Sequence, residues 1–110
     1  MTHIFGIGSC KDEIETPALL IDLDALERNI SKMANYFSKA KASLRPHAKT
    51  HKTPTIANKQ LRAGAIGVCC QKLGEAEVMI TAGIDDVLIT NQVVDPQKIE
   101  RLVGLAKHGK

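Results

Sequence analysis

The sequence is poor in aromatic residues, with no Trp, one Tyr and two Phe among 110 residues. Rows of stacking platforms for single-stranded nucleic acid are thereby excluded. Cysteine is scarce as well: there are three, two of them adjacent at Cys69 and Cys70. Neighbours in sequence rarely meet disulfide geometry, so no disulfide framework is expected and reduced thiols are the simple reading. No apolar run approaches the ~20 residues of a membrane span, and the start, Met1 to Cys10, lacks the basic and long apolar regions of a secretory signal. A cytoplasmic protein without membrane contact is expected. No Gly-rich G-x-G-x-x-G turn comes after the first strand signal, which weakens a dinucleotide-binding reading. Gly6-x-Gly8 precedes that signal and reads as part of a flexible lead-in over residues 1–15.

What is present is the composition of one globular domain, 44% hydrophobic and 25% charged. The net charge of +3 is too small to mark a nucleic-acid binder, but its location is informative. Arg45 to Lys52, RPHAKTHK, holds three of the 15 cations and no acid, and outside it 12 cations balance 12 acids. Two histidines, His47 and His51, lie in the same stretch. Such a cluster faces solvent or meets an anion.

Strand and helix signals alternate along the chain. Pro17 to Leu23 is an apolar run of strand length, and Asp24 with Glu27 reads as a capping box opening a helix whose apolar face is Leu26, Ile30, Met33 and Phe37. A strand is expected over Ser43 to Lys49, then a helix from Thr53 and Pro54 to Gly64. Ile66 to Cys70 is an apolar strand, succeeded by a helix through Glu75 and Met79 that stops at Gly83. Asp86 to Thr90 is a further strand. Asp95 and Pro96 open the last helix, with Ile99, Leu102, Val103 and Ala106 as its buried stripe.

This alternation predicts an α/β fold with a parallel sheet. The polar residues that close the three later strands, Lys49, Gln71 and Asn91, stand 22 and 20 residues apart. Such short units suit a (β/α)8 barrel of the TIM type, of which 110 residues supply only part, a whole barrel taking ~250. A small open sheet is the other possibility.

Strand alternation puts Arg45, His47 and Lys49 on one face and Leu44, Pro46 and Ala48 under the helices. Lys49 then stands at the C-terminal end, where barrel enzymes assemble their chemistry. A lysine among other cations, partly desolvated, has its amine made available as a nucleophile, which suits Schiff-base chemistry. A solvated strand edge is the alternative, and spacing alone does not choose between them. His47 and His51 have the spacing of a metal pair on a helix, yet a strand and loop do not place the rings that way, and no acidic ligand lies in the segment. Cys69 and Cys70 read as buried small hydrophobes, and Glu75 as a first-turn helix charge.

Four stretches resemble a known family: TPALLIDLDALERNI (Thr16 to Ile30), LRPHAKTHKTP (Leu44 to Pro54), GVCCQKLGEAE (Gly67 to Glu77) and AGIDDVLITNQVV (Ala82 to Val94). They are similar to the N-terminal part of the D-threonine aldolases and D-serine dehydratases, members of the alanine-racemase-like, fold type III group of pyridoxal-phosphate enzymes. The resemblance implies a partial (β/α)8 barrel over residues 16–110, with the rest of the barrel and a C-terminal β domain encoded elsewhere. It implies Lys49 as the catalytic lysine that carries pyridoxal 5'-phosphate. Arg45, His47 and His51 are expected beside the cofactor, with Gln71 and Asn91 as further strand-end candidates.

The implied activity is that of a lyase on D-β-hydroxy amino acids: aldol cleavage of D-threonine to glycine and acetaldehyde, or alternatively dehydration of D-serine. An amino-acid racemase is the third option in the group. A divalent metal with ligands outside this chain and a homodimer are implied for the complete enzyme. A non-catalytic cofactor-binding or anion-binding protein is the reading from another class.

Overall fold

The computed structural model describes residues 6–109. Of the expected lead-in, residues 1–5 lie outside the described residues. From Gly6 the chain is largely exposed; it forms a short 3-10 turn, Lys11–Glu13, and beyond it runs without regular structure to the first helix.

Helix α1 (Leu23–Phe37) starts two residues earlier than the sequence signal. Its cap is Asp22, whose side chain accepts from Ala25 N–H at 2.9 Å. Glu27 does not close a capping box; its carboxylate meets Lys59 Nζ at 2.6 Å, tying α1 to α2 (Pro54–Arg62). Leu26, Ile30 and Phe37 are half-buried, whereas Met33 stays 47% exposed. It lines a groove of about 260 Å³ with Leu26, Ile30, Leu44, Pro46 and Gln60. The apolar run before α1 is not a strand, and Leu19, Leu20 and Ile21 are exposed. A strand forms only where a second strand satisfies its N–H and C=O groups, and none of the described residues pairs with this run.

The sheet is parallel. β1 (Val68–Cys70) pairs with β2 (Val87–Ile89), with Val68 opposite Val87 and Cys70 opposite Ile89. On the other side of β1 runs the segment 44–47, through a parallel bridge between His47 and Cys69 and the bonds Ile66 N–H to Leu44 O and Cys69 N–H to Pro46 O. The expected strand over Ser43 to Lys49 does not form as such: the segment is extended beside β1 but bridges it at His47 alone. Ala48–Thr50 form a 3-10 turn, with Ala48 1% exposed beneath the helices.

α2 returns the chain from this segment to β1, and α3 (Leu73–Thr81) returns it from β1 to β2. The core lies between sheet and helices: Ala48, Ala57, Val68, Cys70, Ala76, Met79 and Ile84 are all essentially inaccessible. α3 ends at Thr81 with Ala82 as its C-cap, and Gly83 comes next at φ +85°, a conformation in which glycine carries no Cβ penalty. α4 (Pro96–Leu105) is capped by Asp95, which accepts from Lys98 N–H at 3.0 Å. Its inward residues are Leu102 and Leu105; Ile99 and Val103 are 43% and 59% exposed, so the expected stripe is only partly buried.

Among the described residues no helix covers the opposite face of the sheet. Parallel register places Arg45, Gly67 and Asp86 in one row and His47, Cys69 and Leu88 in the next. The radius of gyration is 16.7 Å and the extents are 46 × 44 × 20 Å, against ~13 Å expected for a closed globule of this length. A slab with one helix-covered face and one bare face is the shape of an arc of barrel wall. Among the described residues no helix is long and apolar enough to cross a membrane.

Candidate functional site

The bare face and the C-terminal strand ends hold most of the polar residues singled out from the sequence. Lowest in the face lies Arg45. Its Nη1 donates to Asp86 Oδ1 at 2.6 Å, passing over Gly67, where a Cβ would collide with the guanidinium. The hydrogen bond to Asp86 pushes the Arg45 guanidinium up from its ordinary value. Arg45 is committed across the sheet rather than presented at the strand ends.

One row higher, His47 reaches over the end of β1. Its Nε2 lies 3.1 Å from Thr90 Oγ1, the Thr90 hydroxyl donates to Cys70 C=O at 3.2 Å, and His47 Nδ1 accepts from Lys49 N–H at 3.2 Å. With the Thr90 proton given to the carbonyl, Thr90 can only accept from His47. In the neutral ring Nε2 therefore carries the hydrogen and Nδ1 is bare. Sequence reasoning misses Thr90, which reads there simply as the last residue of an apolar strand; the register puts it one row beyond Leu88, the residue in line with His47, and the side chains meet on the diagonal.

Lys49 comes next, in the 3-10 turn, and is exposed. Its backbone is held by His47, while its amine makes no hydrogen bond or ion pair among the described residues. Lys52 N–H donates to Ala48 C=O at 2.8 Å and closes the turn around Lys49. Lys52 Nζ lies 3.7 Å from Glu75 Oε1. Gln71 directly follows β1 and Asn91 lies two residues beyond β2, and Gln71 N–H donates to Glu75 Oε2 at 2.8 Å.

His51 goes elsewhere. Its Nδ1 accepts from Thr53 N–H at 3.0 Å, and its buried Nε2 has the Gln60 side chain on α2 as its neighbour. Burial pushes the ring below its ordinary pKa. The ring thus has its contacts with Thr53 and with Gln60 on α2.

Cys70 lies in the core, and burial pushes its thiol up to about 11. It is an inert hydrophobe at neutral pH. Cys69, half-buried on the bare face, donates to Arg45 C=O at 3.6 Å. Among the described residues no three His, Cys, Asp or Glu side chains come together as a possible metal-ligand set.

Comparison with known proteins gives this arrangement a context. Residues 21–107 match the alanine racemase, N-terminal domain. The chain is 48% identical over 103 residues to the 3-hydroxy-D-aspartate aldolase of Paracoccus denitrificans, covering 93% of this chain and 27% of that one. It is 36% identical over 96 residues to the D-threo-3-hydroxyaspartate dehydratase of Delftia sp. (strain HT23), covering 87% and 25%. The crystal structure of D-threonine aldolase from Filomicrobium marinum superposes with a TM-score of 0.86 at 54% identity, over 88% of this chain and 26% of that one. The chain spans about a quarter of the length of the curated relatives it matches.

Proposed function

The chain belongs to the alanine racemase N-terminal domain family, and from that premise we propose that it is part of a pyridoxal-phosphate lyase acting on D-3-hydroxy amino acids, with Lys49 carrying the cofactor. One observation supports this above the others. Lys49 is a primary amine at the strand-end face, exposed, uncommitted among the described residues, and fixed at its backbone by His47. A carbonyl cofactor needs such an amine, so the donor set fits it. Pyridoxal phosphate, when bound, supplies an electron sink for the bonds at the Cα of an amino acid.

The protein's own residues set the stage for that chemistry. His47, tied to Thr90, orients the turn on which Lys49 stands. Arg45, neutralised by Asp86, forms the floor of the site. Gln71 and Asn91 offer amide side chains at the neighbouring strand ends.

The substrate class rests on three relatives whose names share a 3-hydroxy D-amino acid. Aldol cleavage is favoured over dehydration because the two aldolases are 48% and 54% identical to this chain and the dehydratase 36%. D-Threonine would then yield glycine and acetaldehyde. The test uses the full-length protein loaded with pyridoxal phosphate, reduced with borohydride and peptide-mapped. The pyridoxyl adduct is expected on Lys49, to vanish in Lys49→Ala and persist in Lys52→Ala. An adduct on Lys52 or Lys72 in the unaltered protein overturns the assignment, and pyruvate from D-serine with no glycine from D-threonine overturns the aldolase reading.

A further inference from the structure

Glu75 is the one buried charged residue among those described, 9% exposed, and nothing in the proposed chemistry uses it. A carboxylate taken out of water needs partners, and its two oxygens have different ones. Oε2 accepts the N–H of Gln71, at the end of β1. Oε1 faces Lys52 Nζ, which belongs to another part of the chain, beyond the segment 44–47. Lys52 is also the only non-glycine residue at positive φ among those described, +50°. A lysine is held in that conformation only where its surroundings require it. Its N–H closes the turn on Ala48, and Lys49 lies inside the closed turn.

We propose that Glu75 is a positioning residue for Lys49: its carboxylate ties Lys52, which closes the turn bearing Lys49, to the end of the neighbouring strand at Gln71. The inference rests on the reading of Lys49 as the cofactor lysine. Burial alone would push the Glu75 carboxyl up, but the Gln71 N–H and the charges of Lys52 and Lys72 outweigh it and hold the group below its ordinary value. The strut is therefore charged at neutral pH. Without it the Lys49 turn keeps its backbone bond to His47 but loses the tether that Lys52 makes to the next βα unit.

The experiment compares Glu75→Gln, Lys52→Met, Lys52→Arg and the double variant Glu75→Gln/Lys52→Met in the full-length protein. Gln keeps an acceptor for Gln71 and removes the charge facing Lys52. Lys59→Met, which breaks the α1–α2 ion pair with Glu27, serves as a control for loss of an ion pair as such. Two quantities are measured: amide hydrogen exchange of peptides covering residues 48–53 without cofactor, and the dissociation constant for pyridoxal phosphate.

Glu75→Gln and Lys52→Met should each speed exchange in that segment and weaken cofactor binding by about fivefold, as expected for loss of a partly exposed ion pair. The double variant should be no worse than either single one. Lys52→Arg and Lys59→Met should behave as the unaltered protein. Cofactor affinity unchanged in Lys52→Met, or losses that add in the double variant, would overturn the proposal. Lys52→Met replaces an exposed side chain, so it carries the test even where Glu75→Gln does not fold. If borohydride places the adduct on Lys49 while these variants bind cofactor normally, the strut fails and the cofactor assignment stands; an adduct elsewhere in the unaltered protein removes both.

Discussion

His47 and Thr90, 43 residues apart in sequence, meet at 3.1 Å across the end of β1. The contact crosses the end of β1 and links the segment 44–47 on one side of it to the end of β2 on the other. It also sets the direction of every proton in the chain Lys49 N–H, His47, Thr90, Cys70 C=O. A histidine so held is a fixed acceptor toward the Lys49 backbone, and it defines the conformation of the turn.

Thr90→Val tests this directly. Valine keeps the shape and removes the hydroxyl, leaving His47 Nε2 short of a partner while Cys70 C=O keeps the Thr90 backbone N–H at 3.0 Å; because water reaches His47, the cost is expected below the about 1–3 kcal/mol of an unsatisfied buried group. We expect a lower melting temperature and a His47 ring whose 15N shifts no longer report one tautomer. Thr90→Ser, which restores the hydroxyl, should recover the single tautomer. An unchanged 15N spectrum in Thr90→Val would show that the His47 tautomer is set elsewhere.

A second prediction concerns the row beneath. The Arg45 guanidinium reaches Asp86 only because Gly67 has no side chain. A Cβ at Gly67 would lie 2.5 Å from Asp86 C=O and closer still to Arg45. The carbonyl belongs to the backbone of the paired strand and cannot swing away. Gly67→Ala should therefore destabilise by about 1–3 kcal/mol, the range for overpacking. Gly74 in α3 has no atom within 4 Å of a built Cβ, so Gly74→Ala should stabilise by about 0.5–1 kcal/mol through helix propensity. Denaturant melts of both variants check the pair of signs, and equal effects would show that crowding at Gly67 is not the cause.

The local parts of this fold are legible in sequence. Asp95 with Pro96, Pro54 and Gly83 mark helix ends by rules that act within a few residues, and all three lie where those rules put them. Alternation along the segment 44–47 also gives the facing of Arg45 and His47 correctly. It fails at Lys49 because the chain leaves the extended segment at Ala48 for a 3-10 turn, and no periodicity announces that change. Lys49 still reaches the strand-end face, for a reason different from the one alternation supplies. The partners of the polar residues are hidden for another cause. Arg45 with Asp86 and His47 with Thr90 are 41 and 43 residues apart, and become neighbours only through the register of strands that must first be paired. Asp22 rather than Asp24 caps α1 because both are good caps, and the sequence does not say which of two aspartates accepts the first N–H.

The last prediction concerns acid. The Glu75 carboxyl is held below its ordinary value in the folded chain, so between the folded and unfolded values the unfolded chain binds more protons, and stability rises with pH. The contribution is fully present above the ordinary value of 4.5 and disappears as pH falls through the folded value. Glu75→Gln removes the titration. Its stability curve should lie below that of the unaltered protein at pH 7 and converge on it as pH drops through the acid range, because a protonated Glu75 and a glutamine present nearly the same neutral group to Gln71 and Lys52. The measurement is urea unfolding at half-unit steps from pH 7 to pH 3. Two parallel curves separated by a constant offset would mean that the substitution costs packing or hydrogen bonding and not charge, and the tie from Glu75 to Lys52 would then contribute nothing to stability.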